Sequence, residues 1–388
     1  MLSRLSPQSH VSYVLFAWVA MAGLAYINFL PAVVNALAGS IGFTGSEAGQ
    51  IIALNGYGAL AGSTIAIFVV RRIQWRGALL GFLLVLAALD VATVWIIDMH
   101  VMLAWRFIAG VLGGLSVGIA FSVLARLNKR DRAFGLLLFI QFGLGSLVIY
   151  LLPGLERQFG GYAAFYVMAS ISLLSLFVLA FLPNVQSDPV PAHLDQSVSK
   201  SVGISLRTLL AMFSYQLAAS AIWAYAGLIG SGAGLSKDSI SVSIALTGLL
   251  GLLGAMLPIV GGNDPGRFKY LRGGIAISML SAMLLNYADT TLFYVASLAL
   301  LFLSWPAVQS YLLAQVAEMD SSGQLSTVAA LISYGGLASG PLLASQLMNP
   351  EDFSVLLFSC AALFLLSGFL TIARFGKPER AMVEGSPS

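Results

Sequence analysis

The chain carries too little charge to coat a water-soluble globule. Charged residues make up 9% of its 388 positions, hydrophobic residues 59%, and the mean hydropathy is +0.91; soluble domains are about a quarter charged. A bilayer has to be its solvent. The one cysteine, Cys360, falls inside an apolar stretch, which excludes a disulfide framework or a cysteine metal site within one chain. The three histidines, His10, His100 and His193, are scattered in terminal or loop positions, where a lone imidazole is solvated, so no metal site is expected. No phosphate-cradling glycine loop with its lysine occurs, so ATP use is not expected and no cofactor is predicted. The net charge of +3 implies no nucleic-acid partner, because the cations lie in loops between apolar runs, where topology accounts for them.

What the chain does have is apolar length. About 20 apolar residues let a helix cross a bilayer, and twelve such spans are placed at 11–38, 47–70, 77–97, 101–125, 133–153, 162–183, 204–230, 239–261, 271–288, 290–316, 324–348 and 353–374. The first is too long for a signal-peptide core and lacks a clear cleavage site, so it is read as an uncleaved helix. An even number of spans puts both termini on one side. Sixteen lysines and arginines then fall on the terminus side and two, Arg157 and Lys237, on the other. By the positive-inside rule both termini are cytoplasmic and the protein is expected in the cytoplasmic (inner) membrane, with the lipid bilayer as its surroundings.

The connection 184–203 is polar and holds Pro189 and Pro191, splitting the spans six and six. This predicts an N-terminal six-helix bundle over 1–183, a cytoplasmic linker over 184–203, and a C-terminal bundle with a short tail over 204–388. The halves echo each other in a basic turn after the second and eighth spans and in glycines crowding the fifth and eleventh. An all-α membrane protein of two pseudo-symmetric bundles follows, and such bundles rock against each other.

The fourth span carries Arg106-Phe107-Ile108-Ala109-Gly110-Val111-Leu112-Gly113-Gly114, preceded by Leu103. This resembles the fourth-helix motif of the major facilitator superfamily, an arginine followed by spaced glycines. That family's Asp-Arg-x-Gly-Arg-type turn after the second helix is matched in part by Arg71-Arg72-Ile73-Gln74-Trp75-Arg76, which lacks the aspartate and glycine, and more nearly by Asp264-Pro265-Gly266-Arg267-Phe268-Lys269. Arg72, Arg76, Asp264 and Arg267 are therefore the gating-loop candidates the resemblance implies. The fifth span lacks the Gly-Pro pair of many exporters in the family; Gly340-Pro341, in the eleventh, resembles it. The implied fold is twelve transmembrane helices in two bundles, and the implied activity is secondary transport.

Two ionisable residues lie well inside spans, Asp90 in the third and Arg106 in the fourth. Each costs about 2.5–3.5 kcal/mol alone at mid-membrane and so requires a partner or a wet cavity. Both sit toward the extracellular ends of neighbouring spans, within reach of each other, and are the proton-coupling candidates. A buried structural pair that never titrates is the competing reading. The first, fourth, seventh and tenth spans line the cavity by the family resemblance. Tyr26, Asn28, Gln216, Trp223, Trp305 and Gln309, with Asn55 and Gln141 from the second and fifth, are the substrate-cavity candidates, since amides and rings suit a neutral or amphipathic molecule. Each of these could equally join helix to helix.

The sequence thus points to a transporter of a small organic solute, proton-coupled and working by alternating access, acting as a monomer with no catalytic residues. A transport-like sensor that binds without flux is the alternative. An integral-membrane enzyme would need clustered acids at one face, for which Glu318 and Asp320 are the nearest approach.

Overall fold

Inside hydrocarbon a backbone must bond to itself, which leaves helices as the way for a chain of this composition to cross. The computed structural model describes residues 9–70, 72–124, 126–127, 130–183, 202–261, 267–317, 324–349 and 352–372, and nearly all of them are helical. The first predicted span is broken. Helix α1 (His10–Asn28) ends at Phe29, α2 (Leu30–Asn35) starts with Pro31 in its first turn, and a π-helical turn follows over Ala36–Ile41. Proline lacks the N–H that a continuous helix needs, and at the first turn of a new helix the loss is harmless. The first half continues with α3 (Gly45–Val69), α4 (Trp75–Ala92), α5 (Met99–Leu124), α6 (Arg130–Phe159) and α7 (Ala163–Phe181). The second comprises α8 (Val202–Gly232), α9 (Lys237–Gly261), α10 (Arg267–Leu285), α11 (Thr291–Ala317), α12 (Gln324–Leu347) and α13 (Ser354–Ile372).

Eleven of these helices are long and apolar enough to cross a membrane. The remaining predicted span, α10, packs between α11 and α13 and begins with Arg267, Lys269 and Arg272, cations that suit the polar boundary. Large aliphatic and aromatic side chains such as Phe68, Leu84, Phe177 and Leu366 stand exposed on the outer helix faces, as expected where lipid is the solvent.

Packing repeats between the halves. The pairs α3–α5, α4–α7, α1–α6 and α4–α5 recur as α9–α11, α10–α13, α8–α12 and α10–α11, and the halves meet along α3–α12, α6–α9 and α2–α8. The α3–α5 crossing is backbone on backbone. A Cβ on Gly58 would lie 2.2 Å from the Phe107 carbonyl oxygen, and one on Gly62 2.0 Å from that of Val111; on Gly110 it would lie 2.0 Å from Asn55 O and on Gly114 2.1 Å from Ala59 O. Small residues at four-residue spacing allow this approach.

At the end opposite the termini the halves are tied together. The Tyr225 hydroxyl donates to Gly45 O at 2.6 Å, and the Ser46 hydroxyl to Ser345 O at 2.8 Å. Midway, Tyr57 and Ser339 share a hydroxyl–hydroxyl bond of 2.9 Å. The start of α3 is fixed by a capping box, with Thr44 N–H donating to Glu47 and Glu47 N–H to Thr44 Oγ1. The linker residues 184–201 and the tail after Ile372 lie outside the described residues, as do Arg71, Asp264, Glu318 and Asp320.

Candidate functional site

A cavity of about 240 Å³ sits where the halves meet, between α1, α6, α8, α9, α11 and α12. Six of the eight sequence candidates for a substrate cavity line it: Asn28, Gln141, Gln216, Trp223, Trp305 and Gln309. Among the described residues, no lining side chain is ionisable. The volume is below the roughly 300–1,000 Å³ of drug-sized pockets, which suits a small solute.

One wall is a polar network from the second half. Gln216 Nε2 donates to Ser333 Oγ at 3.1 Å, Gln309 Nε2 donates to the same hydroxyl, and the Trp305 indole N–H donates to Gln216 Oε1. Gln309 Oε1 is left buried without a protein partner, and across the cavity so is Asn28 Nδ2. Asn28 Nδ2 is thus a buried donor and Gln309 Oε1 a buried acceptor open to a ligand. A second wall is aromatic, with Trp223 edge-on to Phe302 at 4.9 Å and Phe302 at 6.4 Å from Trp305. The Trp223 N–H reaches Ile27 O of the first half at 3.3 Å, near the break that ends α1.

The remaining two candidates, Tyr26 and Asn55, line a different space. Together with Asp90 and Arg106 of the first half and Tyr334 of the second they surround a cavity of about 30 Å³, large enough for a water. Successive helix residues are about 100° apart, so Tyr26 points some 200° around α1 from Asn28 and the two cannot share a wall. Asn55 lies on the α3–α5 crossing, where its backbone carbonyl faces Gly110.

Asp90 and Arg106 form an ion pair of 2.9 Å, with side chains 3% and 1% exposed. The same Arg106 nitrogen donates to Thr93 Oγ1 at 3.2 Å, and the guanidinium lies over the rings of Tyr26 and Phe165 at 4.9 and 5.1 Å. Hydrogen bonding and cation–π contact thus replace the hydration Arg106 gives up. Arg106 Nε, Tyr26 OH and Asn55 Oδ1 have no protein partner.

Of the gating-loop candidates, Arg72 is exposed at a turn after α3. Arg76 donates to the Leu182 carbonyl at the end of α7 and stacks over Trp75 at 5.3 Å, so it binds within its own half. Asp264 lies outside the described residues, and of Arg267 only the backbone, at the start of α10, is described.

Sequence reasoning overlooked Ser333, Phe302, Ile149 and Ile244. Phe302 is one turn before Trp305, and Ile149 lies eight residues after Gln141 on the same α6 face, so helical spacing from the polar candidates would have found both.

The Major Facilitator Superfamily profile matches residues 15–344. No curated protein matches the chain. Among solved structures, a single-residue variant of the nucleoside transporter NupG superposes with a TM-score of 0.76 at 13% identity, covering 94% of this chain and 99% of that one. A D-xylose-proton symporter gives 0.70 at 16% identity, covering 93% and 97%. The human organic anion transporter MFSD10 (TETRAN) gives 0.65 at 20% identity, covering 94% and 100%. At these identities the likeness is one of fold.

Proposed function

The chain belongs to the Major Facilitator Superfamily, and from that premise we propose that it carries a small, neutral organic solute through the central cavity by alternating access, coupled to protons. The observation that supports this most is the cavity itself. It lies on the seam between the halves, it is lined by four amides and two indoles with no ionisable group among the described residues, and it holds a buried donor and a buried acceptor without protein partners. A solute there would touch both halves at once, so a rocking motion about it would change its access from one side to the other. The bodies that rock are residues 1–183 and 204–388, joined by 184–203, with both termini on the cytoplasmic face as the sixteen-to-two cation bias predicts.

A cavity with no counter-charge disfavours a strongly charged solute, because a charge taken from water needs a partner. Amides and rings together suit a hydroxyl- or N–H-bearing molecule with an apolar face. Among proteins of this fold a nucleoside transporter and a xylose-proton symporter are such cases.

Asp90 is the proton carrier in this reading. Protonation would remove the charge that Arg106 is paired with and free the guanidinium to rebond, so the α4–α5 contact would differ between loaded and empty states. The small cavity beside the pair meets Tyr334 of the second half, so motion of the halves would change access to it. The test is solute-linked proton movement in proteoliposomes holding a pH dye, comparing wild type with Asp90→Asn over nucleosides, sugars, organic acids and cationic drugs. Solute-dependent proton flux lost in Asp90→Asn, with solute binding kept, supports coupling. Unchanged proton flux in the variant makes the pair structural, and binding without flux for every compound makes the protein a sensor.

A further inference from the structure

A second cavity of about 240 Å³ lies between the central one and the surface opposite the termini. The two share Ile149 of α6 and Ile244 of α9, both buried, one from each half. Helical spacing makes the path continuous. On α6, Gln141, Gly145, Ile149, Pro153 and Glu156 follow at steps of four, four, four and three, and on α9, Lys237, Ser241, Ile244 and Gly248 follow at four, three and four. Each series is one helix face, and each runs from the central amides toward the outside. A third cavity, of about 310 Å³, continues outward past Pro153, Glu156 and Lys237 to the exposed Arg157–Asp238 pair at 3.9 Å.

The outer cavity differs from the central one in chemistry. Glu156 and Lys237 line it within electrostatic reach of each other, but outside the two close ion pairs of the described residues, Asp90–Arg106 and Arg157–Asp238. Asn35, at the end of α2, supplies a buried carboxamide oxygen with no protein partner. Its place is built: the Asn35 side chain rests on Gly227 of α8, where a Cβ would fall 2.0 Å from Asn35 Nδ2. A buried acceptor left open against a cavity wall points to a ligand group that donates to it.

We propose that this vestibule is an outer binding site for the transported solute, separated from the central site by the Ile149–Ile244 pair. The proposal rests on the reading of the central cavity as a solute site. Asn35 and Glu156 accept from the solute's hydroxyl or N–H groups, and Lys237 donates to its oxygens. The solute class is neutral and hydroxyl-rich. A zwitterion would find both counter-charges here and neither of them beyond the isoleucines, and would have to shed them to reach the central amides.

The single, fully buried Cys360 makes the test direct, since Cys360→Ser gives a cysteine-free background. Ser241→Cys then reports the vestibule and Ser146→Cys the central cavity, each labelled in oriented proteoliposomes by a membrane-impermeant thiol reagent added on the side opposite the termini. D-xylose and uridine are the probes. At about ten times its Kd a bound solute slows labelling roughly tenfold by mass action, and the proposal expects this slowing at both positions. It also expects Ile149→Ala or Ile244→Ala to speed labelling of Ser146→Cys from that side while leaving Ser241→Cys unchanged. Slowing at Ser146→Cys alone overturns the outer site and leaves the central one standing. Slowing at neither position overturns both. Equal labelling of Ser146→Cys with and without the isoleucines overturns their role as the barrier.

Discussion

In the first half the α4–α5 contact is closed by a buried ion pair, Asp90 with Arg106 at 2.9 Å. At the matching α10–α11 contact of the second half the Ser281 hydroxyl donates to Ser297 O at 2.7 Å, and a chain of hydroxyls runs from Tyr215 through Ser278 to Ser304, each step 2.7 Å. One geometry is thus held by opposite charges in one copy and by neutral groups in the other. The packing alone does not require charge, since the second half does without it. Charge in the first half therefore needs a reason beyond helix association, and proton coupling supplies one. The halves differ reciprocally at the central cavity, where the second half gives Gln216, Gln309, Trp223 and Trp305 and the first gives Asn28 and Gln141. Under the proposed function, solute recognition would weigh on the neutral half and titration on the charged one.

The sharpest way to break this contrast is to remove one member of the pair. Arg106→Leu leaves the Asp90 carboxylate buried without a partner, which costs about 3–5 kcal/mol, whereas Ser281→Ala loses an interhelical hydrogen bond averaging about 0.6 kcal/mol in membranes. Detergent melting should find Arg106→Leu strongly destabilised, Ser281→Ala close to wild type, and Asp90→Leu with Arg106→Met largely restored. If the double substitution melts as low as the single, the charge is not what sets the halves apart.

The helix crossings sharpen the same comparison. Four glycines bring α3 and α5 into backbone contact, while on the α9–α11 crossing Gly254 meets Leu303 O, which a Cβ would approach to 2.4 Å. Gly62→Ala and Gly110→Ala each force backbone apart and should cost about 1–3 kcal/mol, the range for overpacking. Gly254→Ala should fall at the lower end, because the other contacts along its crossing do not rely on glycine. Gly143→Ala, where a Cβ meets nothing within 4 Å, is the control and should melt as wild type.

The helical fold was legible because it follows from the number and length of the apolar runs. The break within the first span was legible in part, since Pro31 marks it, but the chain turns at Phe29, before the proline. Asn28, Gln141, Gln216, Trp223, Trp305 and Gln309 were found because the family resemblance assigns most of their spans to the cavity, and polar and aromatic groups stand out there. Tyr26 and Asn55 were grouped with them by span, although their helix faces turn toward Arg106. Ile149 and Ile244 escaped because an isoleucine in a membrane helix carries no signal until its two neighbouring cavities are known.

At the cavity the comparison predicts a smaller, paired effect. Gln309→Met removes the free acceptor of the second half and Asn28→Leu the free donor of the first. A neutral hydrogen bond contributes about 0.5–1.5 kcal/mol, so each should raise the solute Kd roughly two- to twelvefold. Neither should move the pH dependence of binding, whereas Asp90→Asn should. A pH profile altered by Gln309→Met would dissolve the division between a recognising and a titrating half.

The smallest expected difference is at the outer helix starts. Helix α7 begins after Tyr162 with no side-chain cap, whereas at its counterpart α13 the Ser354 N–H donates to Asp352 Oδ1 at 2.8 Å. The Ser354 hydroxyl and backbone N–H hold the Asp352 carboxyl below the usual carboxylate range. A carboxylate whose pKa is lowered by folding stabilises above its unfolded value, about 3.9 for aspartate, and that contribution is lost as pH falls through the folded value. Acid should therefore loosen the first turn of α13 and leave that of α7 unchanged. Hydrogen exchange at 354–357 and 163–166, corrected for intrinsic rates, reads this directly. Asp352→Asn, which still caps but does not titrate, should abolish the pH dependence, and Asp352→Ala should speed exchange at every pH. Equal acid sensitivity at both helix starts would mean that the cap does not distinguish them.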